Sequence, residues 1–144
     1  MSGRARIRAG RERELVLAAG LDAPAQARRW ASWVDGHLSP QRADEARLML
    51  TELVTNAVLH AGLEPGDPIR VTGRVGDEVV RITVCDCGTG FALDGAPTLP
   101  PGAAPGGRGL WIVNRLADRL LVDSAGGRVA FELARAPRAE PAVH

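Results

Sequence analysis

The sequence contains no lysine: all 18 basic residues are arginine. That excludes mechanisms built on a lysine, such as a Walker-type phosphate lysine or a Schiff base. A strong charge of one sign is missing too. The 18 Arg against 17 Asp and Glu leave a formal net charge of +1, so nothing points to electrostatic capture of nucleic acid or of anionic lipid. No apolar run approaches the length of a membrane span. The basic start RARIRAGRERE precedes no apolar signal core. A soluble, cytoplasmic protein is expected. Two Cys residues make no disulfide framework. Cys85 and Cys87 alternate with Asp86, but a zinc site would need two more ligands, and the three His lie in no recognisable spacing. Buried free thiols are the expectation. Internal repeats and interdomain linkers are also lacking.

What is present suits one domain: 144 residues, 45% of them hydrophobic, enough for a full core. Residues 1–11 are Arg- and Gly-rich and read as a flexible N-terminal arm, 12–134 as the domain, and 135–144, with two Pro and little apolar content, as a disordered tail. Glu12–Ala19 alternates as a first strand. Asp22 and Pro24 look like the cap and first turn of a helix running to about His37, with Ala27, Trp30, Ala31 and Val34 inward. Trp30 and Trp111 fit core positions, whereas Trp33 sits off the apolar stripe. Ser39-Pro40 opens a second helix. Ile69–Val75 and Glu78–Cys85 alternate as strands about a Gly76-Asp77 turn. Residues 92–106 hold four Pro and three Gly and no periodicity, and loops of that length are usually lids or binding loops. Gly107–Asp118 is a helix with Leu110, Val113, Leu116 and Ala117 inward. Leu120–Asp123 and Arg128–Ala134 form a closing hairpin. Helices and antiparallel strands are segregated. The fold class is therefore α+β, a two-layer sandwich with helices on one face of the sheet.

Three stretches carry chemistry. LMLTELVTNAVLHA, Leu48–Ala61, keeps its apolar residues at i, i+3, i+4 and i+7. Beside that stripe run Glu52, Asn56 and His60. Because four residues overshoot one turn by about 40°, Glu52 lies far from the stripe, Asn56 at its flank and His60 near its edge. A carboxylate and a carboxamide one turn apart can hold a hydrated cation or orient a hydroxyl. His60 reads as a hydrogen-bonded helix-end histidine. Asp86-Cys87-Gly88-Thr89-Gly90 ends a strand: Asp86 offers a fixed acceptor for an exocyclic amine such as adenine N6, and the glycines let a flat ring approach. Gly106-Gly107-Arg108-Gly109-Leu110 starts a helix, where bare N–H groups and Arg108 favour an anion. Each stretch alone is equally an ordinary helix face, an Asp-Gly turn and a flexible helix entry.

Together, in that order, ELVTNAVLHA, DCGTGF and GGRGLWIV resemble the GHKL, or Bergerat-fold, ATPase superfamily of histidine kinases and gyrase. They look closest to its stand-alone anti-sigma-factor serine/threonine kinase branch. The resemblance spans about Glu12–Ala134. It implies a Bergerat-type fold with a mixed, mainly antiparallel sheet, and it implies ATP and Mg²⁺ as cofactors. By the same resemblance Asn56 completes the Mg²⁺ shell, Glu52 is the general base, Asp86 binds the adenine amine, and Gly88 and Gly90 line the base pocket. Gly107, Arg108, Gly109 and Leu110 cradle phosphates, and 92–106 form the lid. A single Asn suits Mg²⁺, which keeps several waters. The implied partners are a sigma factor and a STAS-type anti-anti-sigma protein, in a chain that can homodimerise through its first helix and Glu12–Ala19. One departure stands out: the Thr usual in the last hairpin, close to the adenine, is matched by Arg128. That motivates an alternative, a non-catalytic ATP-binding regulatory module. A further alternative is the detached ATPase half of a sensor histidine kinase.

Overall fold

The structure, a computed structural model, describes residues 3–8, 12–60, 62–86, 107–123 and 127–135, with only the backbone path given for 3–8 and 107–109. Six strands and three α-helices follow in the order β1 (Gly3–Arg8), β2 (Glu12–Ala18), α1 (Ala23–Trp30), α2 (Pro40–His60), β3 (Pro68–Val75), β4 (Val79–Cys85), α3 (Gly107–Leu116), β5 (Arg119–Asp123) and β6 (Arg128–Ala134). The strands form one sheet in the order β1-β2-β3-β4-β6-β5. Every ladder among them is antiparallel, so the expected mixed, mainly antiparallel sheet has no parallel pair among the described residues.

Strand alternation explains the layers. On β3, Ile69, Val71, Gly73 and Val75 are buried, while Arg70 and Arg74 are exposed. On β4 the buried set is Val80, Ile82 and Val84, and on β6 Val129, Phe131 and Leu133 belong to the core. These residues face the helices; the opposite sheet face carries Arg70, Arg74, Arg81, Arg119 and Arg128 and is covered by no helix among the described residues. α2 answers with Ala43, Ala46, Met49, Leu50, Leu53, Val54 and Ala57, all buried. Its stripe follows the 3.6-residue period over four turns, and that burial, at about 1.5–3 kcal/mol per large side chain, holds the helix in place. Ser39 caps it, accepting from the Arg42 N–H at 3.3 Å.

The ends differ more from expectation than the middles. Gly3–Arg8 is a strand paired with β2, in register from Gly3 opposite Leu17 to Arg8 opposite Glu12, where the sequence reading has an unpaired arm. Asp22 occupies the cap position of α1 but makes no side-chain capping bond, because its own backbone is already helical. The first helix stays α-helical only to Trp30 and tightens into 3₁₀ turns over Ala31–Gly36, as helix ends often do. The tightened turns lay Trp33 against the sheet. Its ring packs edge-on to Trp30 at 5.6 Å and under the Arg13 guanidinium at 4.7 Å. The off-stripe tryptophan is therefore held inside the fold and is not a free partner surface.

Arg42 joins three elements. It donates to Glu45 Oε1 at 2.6 Å, to the Leu116 carbonyl at 3.1 Å and to Asp118 Oδ2 at 2.8 Å. The same Asp118 oxygen accepts the Ala134 N–H at 2.7 Å. The start of α2, the end of α3 and the end of β6 are thus fastened at one corner. Burial works against the Arg42 charge, but Glu45 and Asp118 outweigh it and raise its pKa. The Ala134 N–H, with Arg42 behind it, holds the Asp118 carboxyl below the ordinary range.

Candidate functional site

The site is assembled from the end of β4 and the middle of α2. On β4 the inward positions are Val80, Ile82 and Val84, and Asp86 continues that alternation one step past the strand, only 2% exposed. Its backbone N–H donates to the Gly127 carbonyl at 3.0 Å, so the start of β6 holds the residue in place. Gly127 has a φ of 68°, in the left-handed region where a side chain is strained. A buried carboxylate at the mouth of a strand, facing the helix layer, is the acceptor that an exocyclic amine needs.

α2 supplies the second part. Asn56 is 5% exposed, so it sits deeper than the flank that its helical angle suggests. Glu52, one turn earlier, is half-buried. Asn56 therefore lies on the interlayer side with Asp86, and Glu52 stands at the rim between that layer and solvent. His60 departs from expectation. It is exposed at the last residue of α2, where the apolar stripe fades: Val58 is half-buried and Leu59 is exposed like His60.

Gly107, Arg108 and Gly109 begin α3, and Leu110 is buried. α3 packs along α2, so a helix N-terminus that can receive an anion belongs to the same helix layer as Asn56. Gly88, Gly90 and the expected lid 92–106 lie outside the described residues, as does Cys87. Cys85 is half-buried, in no disulfide, and on the sheet face away from the helices, more open than the buried thiol expected.

The donor set fits a nucleotide carrying Mg²⁺. Among the described residues no group of three or more His, Cys, Asp or Glu could hold a metal. A metal arriving on phosphates needs only one or two protein oxygens, and the Asn56 carboxamide can provide one. When bound, Mg²⁺ would supply neutralisation of phosphate charge.

Arg128 corrects the sequence reading. It is exposed and stands opposite Cys85 and Asp123 in the ladders, on the sheet face away from the helices. The residue beside Asp86 is Gly127. Counting back from inward Val129 by the two-residue period reveals this; matching by motif alone does not. Sequence reasoning also missed the Arg42–Asp118 corner and the Arg13–Trp33 stack, because both join residues remote in the chain.

Among the described residues no helix is long and apolar enough to cross a membrane. No curated protein matches the chain. The profile of the histidine kinase-like ATPase domain family matches residues 17–133, from β2 to the end of β6. With the α+β sandwich and the buried Asp86 and Asn56 already in place, the chain belongs to the histidine kinase-like ATPase domain family, and so to the ATP-binding GHKL superfamily.

Proposed function

We propose that the chain is an ATP-dependent protein serine/threonine kinase of the anti-sigma-factor type, with Mg²⁺ as its metal. Its substrate is a STAS-type anti-anti-sigma protein, and its nucleotide-bound form also holds a sigma factor. The observation that carries this reading is the pair on α2: Asn56 buried in the interlayer and Glu52 half-buried one turn away, open to an incoming hydroxyl. In that arrangement Glu52 takes the proton of a substrate serine as its oxygen bonds to the γ-phosphorus and ADP leaves. Asn56 orients the phosphate end, and Asp86 fixes the base. Phosphoryl transfer asks for little more than such positioning and charge neutralisation.

A second reading, an ATP-binding module that sequesters a partner without transfer, has one observation in its favour. Gly127, beside Asp86, offers no hydroxyl to the base pocket, which favours weaker nucleotide binding. Arg128 gives no support to it, since it faces the other way. Radiolabelled ATP with a STAS partner separates the two readings. Phosphoserine formed by the wild type and lost in Glu52→Ala is the kinase result. ATP binding without transfer supports the module.

A further inference from the structure

The bare face of the sheet carries a groove of about 380 Å³ that takes no part in the nucleotide site. Arg81 and Thr83 of β4 form one wall, Arg128 and Ala130 of β6 the floor, and Leu121 and Val122 of β5 the far rim. These residues come together only because β6 inserts between β4 and β5. The register aligns Thr83 with Ala130 and Ala130 with Leu121.

We propose that this groove docks an extended, acidic stretch of a partner protein that alternates carboxylate and small apolar side chains. Three features select that occupant. The first is charge. Arg128 is exposed and has no ion-pair partner among the described residues. Glu132 serves two arginines at once, Arg81 at 2.6 Å and Arg119 at 3.9 Å. Among the described residues, therefore, Arg81 and Arg119 share the single carboxylate of Glu132, and Arg128 stands opposite Asp123 in the ladder. Guanidinium N–H groups remain for a visiting carboxylate. The second is the apolar half of the lining. Ala130 and Leu121, opposite each other in the β6–β5 ladder, form its apolar strip. The third is shape. The groove spans β4, β6 and β5, and β5 is the last strand in the order. Its outer backbone groups therefore have no strand neighbour among the described residues. An extended chain suits such an edge. A nucleic-acid backbone suits it less, since a run of phosphates offers no small apolar side chain to Leu121 and Ala130.

The groove also touches the nucleotide site through the backbone. Arg128 follows Gly127, whose carbonyl holds the Asp86 N–H at 3.0 Å. Docking on one sheet face and base binding on the other thus share the β4–β6 ladder, while their side chains stay apart.

The test uses the full chain and a fluorescein-labelled dodecapeptide of alternating Asp and Val, read by fluorescence anisotropy at low ionic strength. Saturable binding that weakens with added salt is expected. Arg128→Ala should weaken it about three- to fivefold and Arg128→Glu about tenfold or more. The Asn-for-Asp peptide should not bind. Amide shifts on titration should concentrate in β5, β6 and β4. Circular dichroism of both variants should match the wild type, because the side chain is exposed. ATP affinity, measured separately, should stay within about twofold, so a failed groove and a failed nucleotide site give different results. No saturable binding by the wild type, equal binding by Arg128→Glu, equal binding of the Asn peptide, or shifts confined to the helices would each overturn the proposal.

Discussion

Replacing Gly73 by alanine should destabilise the protein, although Gly→Ala within a strand ordinarily does the opposite. Gly73 faces the helices between Arg13 of β2 and Ile82 of β4. A methyl group built there would lie 2.2 Å from Trp33 Cζ2, 2.6 Å from Trp33 Cη2 and 3.3 Å from Trp30 Cη2. The Trp33 ring has little room to retreat: Trp30 stands edge-on to it and Arg13 lies over its face. Overpacking of this kind costs about 1–3 kcal/mol. The smaller backbone entropy of the unfolded alanine chain offsets about 0.4–1 kcal/mol. The net loss should be about 1–2 kcal/mol, or about 3–8 °C in Tm for a domain of this size. Urea and thermal denaturation of Gly73→Ala, Trp33→Leu and the double variant form the assay. Trp33→Leu removes the ring at its own cost, and in that background the alanine should cost almost nothing. The cycle should therefore show a coupling of about 1–2 kcal/mol. A Gly73→Ala variant as stable as the wild type, or a strictly additive double variant, would refute the packing argument.

Further outcomes are expected. Asp86→Asn keeps the shape but replaces a carboxylate acceptor by an amide; calorimetry should find ATP binding about 10- to 100-fold weaker, with thermal stability changed by less than about 1 kcal/mol. On the proposed kinase reading, Glu52→Gln should lower the phosphoryl-transfer rate at least about 100-fold while ATP affinity moves less than about threefold, a split that single-turnover kinetics can resolve. Arg42→Ala should cost about 1 kcal/mol in urea denaturation, a small figure because its partners are partly solvated. The depressed Asp118 carboxyl gives stability that is complete above the ordinary carboxylate pKa and is lost as pH falls through the lower folded value. Arg42→Ala removes one of its two supports, the Ala134 N–H remaining, so an acid titration of stability should lose part of that slope.

Short-range patterning was enough for much of the architecture. Met49, Leu50, Leu53, Val54 and Ala57 announce α2 by their spacing, and all are buried. Arg128–Ala134 is the predicted strand residue for residue, because Val129, Phe131 and Leu133 keep a strict two-residue period. Asp86 could be placed from its position just after that pattern in β4. What failed depends on neighbours remote in sequence. GRARIR has no apolar alternation strong enough to read as a strand; it becomes one because β2 presents a free edge to it. Trp33 looks exposed on an ideal helix, but the helix tightens and Gly73 leaves room for the ring on the sheet.

The sequence by itself thus determined the segregation of helices from antiparallel strands, the α2 stripe with Glu52 and Asn56 beside it, and Asp86 at a strand end. Those follow from periodicity and turn chemistry within a dozen or so residues. Only the tertiary structure decided which strands are neighbours, and with them which sheet face each Arg occupies. Pairing β6 with β4 ties Gly127 to Asp86 and sends Arg128 to the opposite face. A strand's period of two fixes sides only once its partners are known.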